Sequence, residues 1–291
     1  MHASSFGHSS QFPPLEERLR WTLLEDWGTG DVTTDALGHL PHNRAVVIGR
    51  APGVISGVSL AGVLCRVAEE LLGGHIDVVN YMADGDTIAP GQAVMELKGP
   101  LGHLLRIERA LLNLMQRVSG VATLTRRCVE IAGGQVQIVD TRKTTPLWRD
   151  IEKAAVLHGG GTNHRFNLAT AYMVKNNHVD ALGGMTDAIH AIREHNTHQL
   201  EVTIEVRDLA ELDEALLHSR PTDYILLDNF RGESLATALG RCRGRVMTEL
   251  SGGVTVENLA EFVGLGLNRI SMGALTHSAP ALDLSLRIRN Q

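Results

Sequence analysis

Residues 140–178 read DTRKTTPLWRDIEKAAVLHGGGTNHRFNLATAYMVKNNH, and the two ends of this stretch share one design. The run VQIVD (136–140) is apolar and β-branched and leads into Thr141-Arg142-Lys143. The shorter run AYMV (171–174) leads into Lys175-Asn176-Asn177-His178. A strand that delivers charge at its carboxyl end is how β/α proteins assemble sites, because the loops there carry polar groups over a packed scaffold. Between the two runs, Gly159-Gly160-Gly161 breaks any helix and suits a tight backbone path, and Asn163, His164 and Arg165 follow at once. The stretch holds six Lys/Arg against three acids, about +3, inside a chain of formal net charge −6. A solvated basic loop is the plain alternative; against it, Arg142, Arg165 and Lys175 each stand beside an apolar run or a glycine turn.

Working outward, apolar runs end near Asp140, Lys175, Glu205, Asp228, Glu249 and Met272, with helical patterns such as 209–217 and 256–263 between some of them. Repeated strand-helix-strand units predict a parallel sheet with right-handed crossovers. Eight full units need about 250 residues, more than this part of the chain supplies. The pattern therefore predicts an incomplete, open β/α barrel over 120–278. Its strand ends carry cations early, acids in the middle (Glu205, Asp228) and small turns last (Ser251-Gly252-Gly253, Gly273-Ala274). Glycine turns let backbone N–H groups approach a phosphate closely, and barrels commonly bind phosphate at their last two strands. Two acids at successive strand ends beside cations suit Mg²⁺, which takes one or two carboxylates plus phosphate oxygens. Either acid alone reads more readily as a cap or an ion-pair partner.

The first part of the chain mixes both periods. Helices are predicted over 13–27, 59–72 and 104–118, strands over 44–50, 53–58 and 75–80, and a hairpin over 84–97. This implies an α/β sandwich domain over 12–119, with the apolar rhythm of 279–291 packing back on it. The first eleven residues, MHASSFGHSSQ, are polar, lack the apolar core of a signal peptide and read as a disordered lead-in. The length of 291 residues fits one large or two modest domains. With 43% apolar and 21% charged residues and no long apolar run, a membrane span is not expected. The acidic balance argues against a nucleic-acid binder held by bulk charge. Cys65, Cys128 and Cys242 are far apart, form no CxxC, and read as reduced thiols of a cytoplasmic protein.

DTRKTTP, EKAAVLHGGGTNHR and the Lys175-Asn176-Asn177-His178 run, with EDWGTGDVTTDAL (25–37) and RALLNLMQRVSGVAT (109–123), resemble the quinolinate phosphoribosyltransferase family from Glu25 to about Ser278. The resemblance implies transfer of phosphoribosyl from phosphoribosyl pyrophosphate to quinolinate with decarboxylation, giving nicotinate mononucleotide, pyrophosphate and CO₂. It implies a quinolinate cage of Arg142, His164, Arg165 and Lys175 with Arg109 from the partner subunit of a homodimer. It implies further that Lys143, Lys175, Glu205 and Asp228 are catalytic, with Glu205 and Asp228 near Mg²⁺. Lys143, Asn229, Ser251, Gly252, Gly253, Gly273, Ala274 and His277 are expected to hold phosphate. Arginine suits the cage because its planar fork binds a carboxylate through two parallel N–H bonds. Three positions depart from the family's usual pattern: Asn167 where glycine is common, Asn176 where an acid is usual, and Leu250 where a small residue precedes Ser251.

Other readings stay open from residues alone. A nicotinate phosphoribosyltransferase would need fewer carboxylate-binding cations, a Schiff-base lyase would use Lys175 as nucleophile, and a non-catalytic homologue would bind a phosphosugar without turning it over.

Overall fold

The computed structural model describes residues 12–289, so the expected lead-in over 1–11 lies outside the described residues. Two compact units partition the chain: Met1–Ser119 with Ala281–Gln291, and Gly120–Pro280.

The first unit begins with α1 (Leu15–Trp27) and the short α2 (Val32–Ala36), which Asp31 caps by accepting from the Thr34 N–H at 3.0 Å. There follow β1 (His42–Gly49), β2 (Gly53–Val54), α3 (Val58–Leu72), β3 (Asp77–Asn80), β4 (Thr87–Ile88) and β5 (Ala93–Pro100). The strand expected over 53–58 is only two residues long, because Gly57 turns left-handed (φ 92°) and opens α3. The free N–H groups at the start of α3 are met from a distant turn. Asp84 accepts from the Val58 and Ser59 N–H groups at 2.8 and 3.3 Å, which satisfies donors the helix cannot satisfy itself. Leu19 and Leu23 of α1 and Leu64 and Ala68 of α3 are sealed from solvent.

The next helix, α4 (Leu101–Ala132), starts in the first unit and ends in the second. It is twice the length that the 104–118 stripe predicts. Ser119-Gly120 looks like a stop, but the apolar face resumes at Val121, Ala122, Thr125, Cys128 and Ala132, all buried, and helical spacing carries the backbone through.

The second unit runs β6 (Gln137–Val139), α5 (Arg149–His158), β7 (Tyr172–Val174), α6 (Asn176–Leu182), α7 (Met185–His195), β8 (Val202–Val206), α8 (Leu209–His218), β9 (Tyr224–Asp228), α9 (Gly232–Cys242), β10 (Met247–Ser251), a 3₁₀ turn (Leu259–Phe262), β11 (Arg269–Ser271) and α10 (Ala274–His277). The final strand, β12 (Leu284–Arg289), belongs to the first unit, where the sheet order is β12-β1-β5-β3 and every pairing is antiparallel.

The six strands of the second unit are all parallel, in the order β6-β11-β10-β9-β8-β7. β6 and β7, neighbours in sequence, are the two edges, and this is the opening of the incomplete barrel. The sheet is strongly curled. Strands lie about 4.8 Å apart, so β11 and β8, three places apart, would be some 14 Å apart if the sheet were flat. Arg269 of β11 nevertheless donates to Thr203 Oγ1 of β8 at 3.1 Å. Alternation then sorts the side chains. Ile225, Leu227, Leu250 and Ile204 are buried on the outer face, while Leu226, Asp228, Glu249, Ser251 and Glu205 line the interior.

Candidate active site

A cleft of about 550 Å³ opens at the carboxyl ends of the parallel strands, where β/α sheets place their ligands. Each wall is set by a strand end. β6 leads into Arg142 and Lys143, β7 into Lys175, β8 presents Glu205, β9 ends at Asp228 and β10 at Ser251. His164 and Arg165 come from the segment after α5 and line the same space.

The cationic wall is crowded. Arg165 donates from Nη1 to the Ala171 carbonyl at 3.2 Å, whereas the Arg142 guanidinium makes no hydrogen bond among the described residues. Burial, then the charge of Arg142, hold the Arg165 guanidinium below its ordinary pKa. The same two causes act in the same order on Arg149. Arg149 is a lining residue the sequence reading missed. It donates to Thr144 Oγ1 at 3.0 Å, to the Arg142 carbonyl at 3.2 Å and to the Phe166 carbonyl at 3.3 Å, so it braces the two cation-bearing loops from between. Its only sequence signal is membership of the basic stretch.

Lys175 donates to Glu205 Oε2 at 2.5 Å. Asp228 lies near that pair, and burial, followed by the charge of Glu205, raises its pKa above the usual aspartate value despite opposition from Lys175 and Lys143. Below them Glu249, which the sequence reading places at a strand end without a role, is wholly buried. It accepts from Arg269 Nε at 2.6 Å and lies 3.3 Å from His164 Nε2, while its Oε1 has no partner. Burial pushes the Glu249 carboxyl up, but the hydrogen bond and charge of His164 and the charge of Arg269 outweigh it and leave it below the usual range.

His164 is held at both ring nitrogens: Nδ1 accepts from the Arg165 N–H at 2.7 Å and Nε2 faces Glu249. It lines the cleft beside Arg165 and Arg142.

The last two strand ends carry the small turns. Gly252 and Gly253 are left-handed (φ 89° and 57°), as is Asn229 (φ 61°), whose N–H donates to the Ser251 carbonyl at 2.9 Å. Arg231 secures the turn by donating to the Gly252 carbonyl at 2.5 Å. Of the residues expected to hold phosphate, Lys143 and Ser251 line the cleft. Asn229, Gly252, Gly253, Gly273, Ala274 and His277 stand at the same strand ends. Gly273 sits against Lys143, whose Cδ would be 2.9 Å from an added Cβ.

Elsewhere the expected features are placed as follows. The helix expected over 256–263 is only the 3₁₀ turn Leu259–Phe262, so no α-helix N-terminus follows the Ser251-Gly252-Gly253 turn. The glycines at 159 and 161 serve close packing on α4: a Cβ at Gly159 would lie 2.5 Å from the Ala122 carbonyl oxygen, and one at Gly161 2.7 Å from Thr125 Cγ2. Leu250 points away from the cleft into the outer core. Asn167 and Asn176 bond locally, accepting from the N–H groups of Ala169 (2.9 Å) and Asn177 (2.7 Å). Arg109 is exposed on α4 in the first unit.

Fold and site together define a two-unit α/β protein whose open parallel barrel carries an anion-binding cleft with paired acids. Residues 31–119 match the family model for the N-terminal domain of quinolinate phosphoribosyl transferase, and residues 121–287 match that for its C-terminal domain. The chain belongs to the quinolinate phosphoribosyltransferase family. It is 36% identical over 275 residues to the probable nicotinate-nucleotide pyrophosphorylase (carboxylating) of Bacillus subtilis, covering 94% of this chain and 93% of that one. It is 38% identical over 285 residues to the nicotinate-nucleotide pyrophosphorylase (carboxylating) of Mycobacterium leprae, with 95% and 98% covered. The crystal structure of NadC from Streptococcus pyogenes superposes with a TM-score of 0.86 at 35% identity, over 97% of this chain and all of that one.

Proposed function

We infer that this chain transfers the phosphoribosyl group of phosphoribosyl pyrophosphate to the ring nitrogen of quinolinate and releases CO₂, giving nicotinate mononucleotide and pyrophosphate in the biosynthesis of NAD. The observation that carries the substrate is the gathering of Arg142, Arg165 and Lys175 on one cleft whose facing strands present Glu205 and Asp228. A pyridine dicarboxylate brings two negative charges, and burying them requires matched cations. The repulsion of Arg142 with Arg149 and with Arg165 favours a dianion over the single charge of nicotinate.

The chemistry asks little proton transfer of the protein at the first step, because the attacking pyridine nitrogen carries no proton. Positioning and charge stabilisation supply the rate. Arg142 and Arg165 orient the ring, Lys143 lies where a departing diphosphate needs positive charge, and Glu205 and Asp228 face the sugar as cationic character develops. Once the ring nitrogen is bonded to ribose it is positive, and the carboxylate on the carbon beside it leaves as CO₂; the electron pair stays on that carbon, stabilised by the neighbouring positive nitrogen, and takes a proton from water to give the mononucleotide.

Glu205 and Asp228 also fit Mg²⁺. Two neighbouring carboxylates, one with its pKa raised by burial and then by the other's charge, suit an ion that takes its remaining ligands from a diphosphate. Among the described residues no group of three or more His, Cys, Asp and Glu forms a metal cage by itself. When bound, the ion neutralises the diphosphate's charge. We further assign Arg109 to the ring cage of a neighbouring subunit in a homodimer, and the enzyme to the cytoplasm. The second assignment is supported by three buried free thiols, Cys65 and Cys128 pushed by burial up to about 12 and Cys242 to about 11.

Incubation with quinolinate, phosphoribosyl pyrophosphate and Mg²⁺, with CO₂ and the mononucleotide measured together, tests the reaction. Turnover of nicotinate in place of quinolinate would overturn the substrate assignment.

A further inference from the structure

Behind the cationic wall lies a buried ion pair that the chemistry above does not use. Asp140 directly follows β6 and Lys153 lies on α5; both side chains are sealed from solvent, and Lys153 Nζ donates to Asp140 Oδ1 at 2.5 Å. The remaining bonds of this pair go to one short piece of backbone. Asp140 Oδ1 accepts from the His164 N–H at 2.8 Å, and Lys153 Nζ donates to the His164 carbonyl at 3.0 Å. Asn163 completes the joint, its amide nitrogen donating to Asp140 Oδ2 at 2.7 Å and to the Lys153 carbonyl at 3.0 Å. His164 hands the constraint on through Nδ1, which accepts from the Arg165 N–H at 2.7 Å.

The joint therefore fastens together two chain segments, one carrying Arg142 two residues after Asp140, the other carrying Arg165. Their guanidinium groups repel, and nothing at their own level offsets this: Arg142 makes no hydrogen bond among the described residues and Arg165 makes one, to a carbonyl. The approach of the two groups is imposed from the backbone. Stability alone is a weak reason for such a pair, because buried ion pairs are commonly replaced by apolar residues of similar volume without loss. What apolar residues cannot reproduce is the set of directed bonds to both backbone groups of His164.

We infer that Asp140 and Lys153 are positioning residues that set the separation of Arg142 and Arg165, and thereby fit the cleft to a ring with two carboxylates. The inference rests on the proposed reaction. The test uses the full chain carrying D140N and K153M together, which removes both charges at nearly constant volume and so leaves no unpaired ion. Asn163→Ala, which removes only the amide strut, serves as a gentler second variant. Steady-state KM values for quinolinate and for phosphoribosyl pyrophosphate are measured alongside calorimetric titration with quinolinate and with nicotinate.

The double variant is expected to raise the quinolinate KM by about tenfold or more, within the roughly hundredfold that a 1 Å misplacement can cost, with the phosphoribosyl pyrophosphate KM within about twofold. Its preference for quinolinate over nicotinate falls by a similar factor, and Asn163→Ala shifts both in the same direction by about threefold. If both KM values stay put or rise together, or if quinolinate selectivity is unchanged in either variant, the pair is structural only and the inference fails. Wild-type turnover separates the two levels: an inactive wild type counts against the reaction and takes this inference with it, whereas an active wild type with indifferent variants counts against the positioning alone.

Discussion

Lys175 and Glu205 hold each other: Nζ donates to Oε2 at 2.5 Å across the tops of β7 and β8, with the lysine side chain 40% exposed and the carboxylate nearly buried. On the proposed reaction, a ring carboxylate arriving at Lys175 would compete with Glu205 for the ammonium and free Glu205 to face the sugar. Lys175→Met removes a charged donor from the cage and leaves Glu205 beside Asp228 without its partner. Removing one preorganised donor costs about 10²–10³ in kcat. That loss is expected in kcat/KM for quinolinate, measured by CO₂ release, with a fall in Tm because the nearly buried Glu205 carboxylate loses its counter-charge.

Arg142 gives the opposite balance of stability and activity. Its guanidinium makes no hydrogen bond among the described residues and repels Arg149 and Arg165. Arg142→Ala is expected to leave Tm unchanged or slightly raised while abolishing quinolinate binding in calorimetry. Near-normal CO₂ release by this variant would refute its role. If Arg109 completes the neighbouring subunit's cage, mixing inactive Arg142→Ala and Arg109→Ala chains restores roughly a quarter of the wild-type sites, the share left with both arginines in statistical heterodimers. No recovery after subunit exchange would remove Arg109 from the shared site.

Asp228 links stability to pH. Burial and the charge of Glu205 raise its pKa in the fold above the ordinary aspartate value. The protonated form is therefore favoured by folding: the carboxyl's contribution to stability is full below the unfolded value and is lost as pH rises through the raised folded one. Asp228→Asn removes that loss. The variant is expected to melt above the wild type at pH 7, with the difference closing as pH falls toward the ordinary aspartate range, and to lose about 10² in kcat. A Tm difference that does not change with pH would sink the argument.

The strand ends were legible because a cation or acid following a β-branched run is a local signal, and Arg142, Lys175, Glu205 and Asp228 need nothing else to be noticed. Arg149 and the role of Glu249 were not, since a brace acts through loops that meet only in space, and an acid beneath a cleft reads like any cap. The mistaken helix over 256–263 has a particular cause. Asn258 accepts from the Thr255 N–H at 2.9 Å and donates to the Gly253 carbonyl at 2.9 Å, a local alternative to helical pairing. Leu259 and Phe262, three apart and both buried, then suit a 3₁₀ turn. The Asp140–Lys153 joint was invisible for the same reason as Arg149, as thirteen residues separate partners that only the folded crossover brings together.

Two glycines that look alike in sequence are expected to fail differently. Gly252 is left-handed (φ 89°), and a Cβ there would lie 2.2 Å from Asn229 Oδ1. Gly252→Ala therefore strains the turn after β10 and displaces Asn229 at the adjacent strand end. Gly159 has ordinary backbone angles (φ −73°), but its missing Cβ leaves room for the Ala122 carbonyl oxygen of α4, which would be 2.5 Å away. Gly159→Ala forces the crossover off its helix, an overpacking that costs about 1–3 kcal/mol, or roughly 2–10 °C in Tm for a domain of this size. Gly252→Ala is expected to raise the KM for phosphoribosyl pyrophosphate by about tenfold with the quinolinate KM little changed, because only the phosphate-side turn moves. Gly159→Ala is expected to lower Tm with both KM values near wild type at temperatures where it stays folded. If Gly252→Ala instead raised the quinolinate KM alone, the glycine turn after β10 would have to be reassigned to the ring side of the cleft.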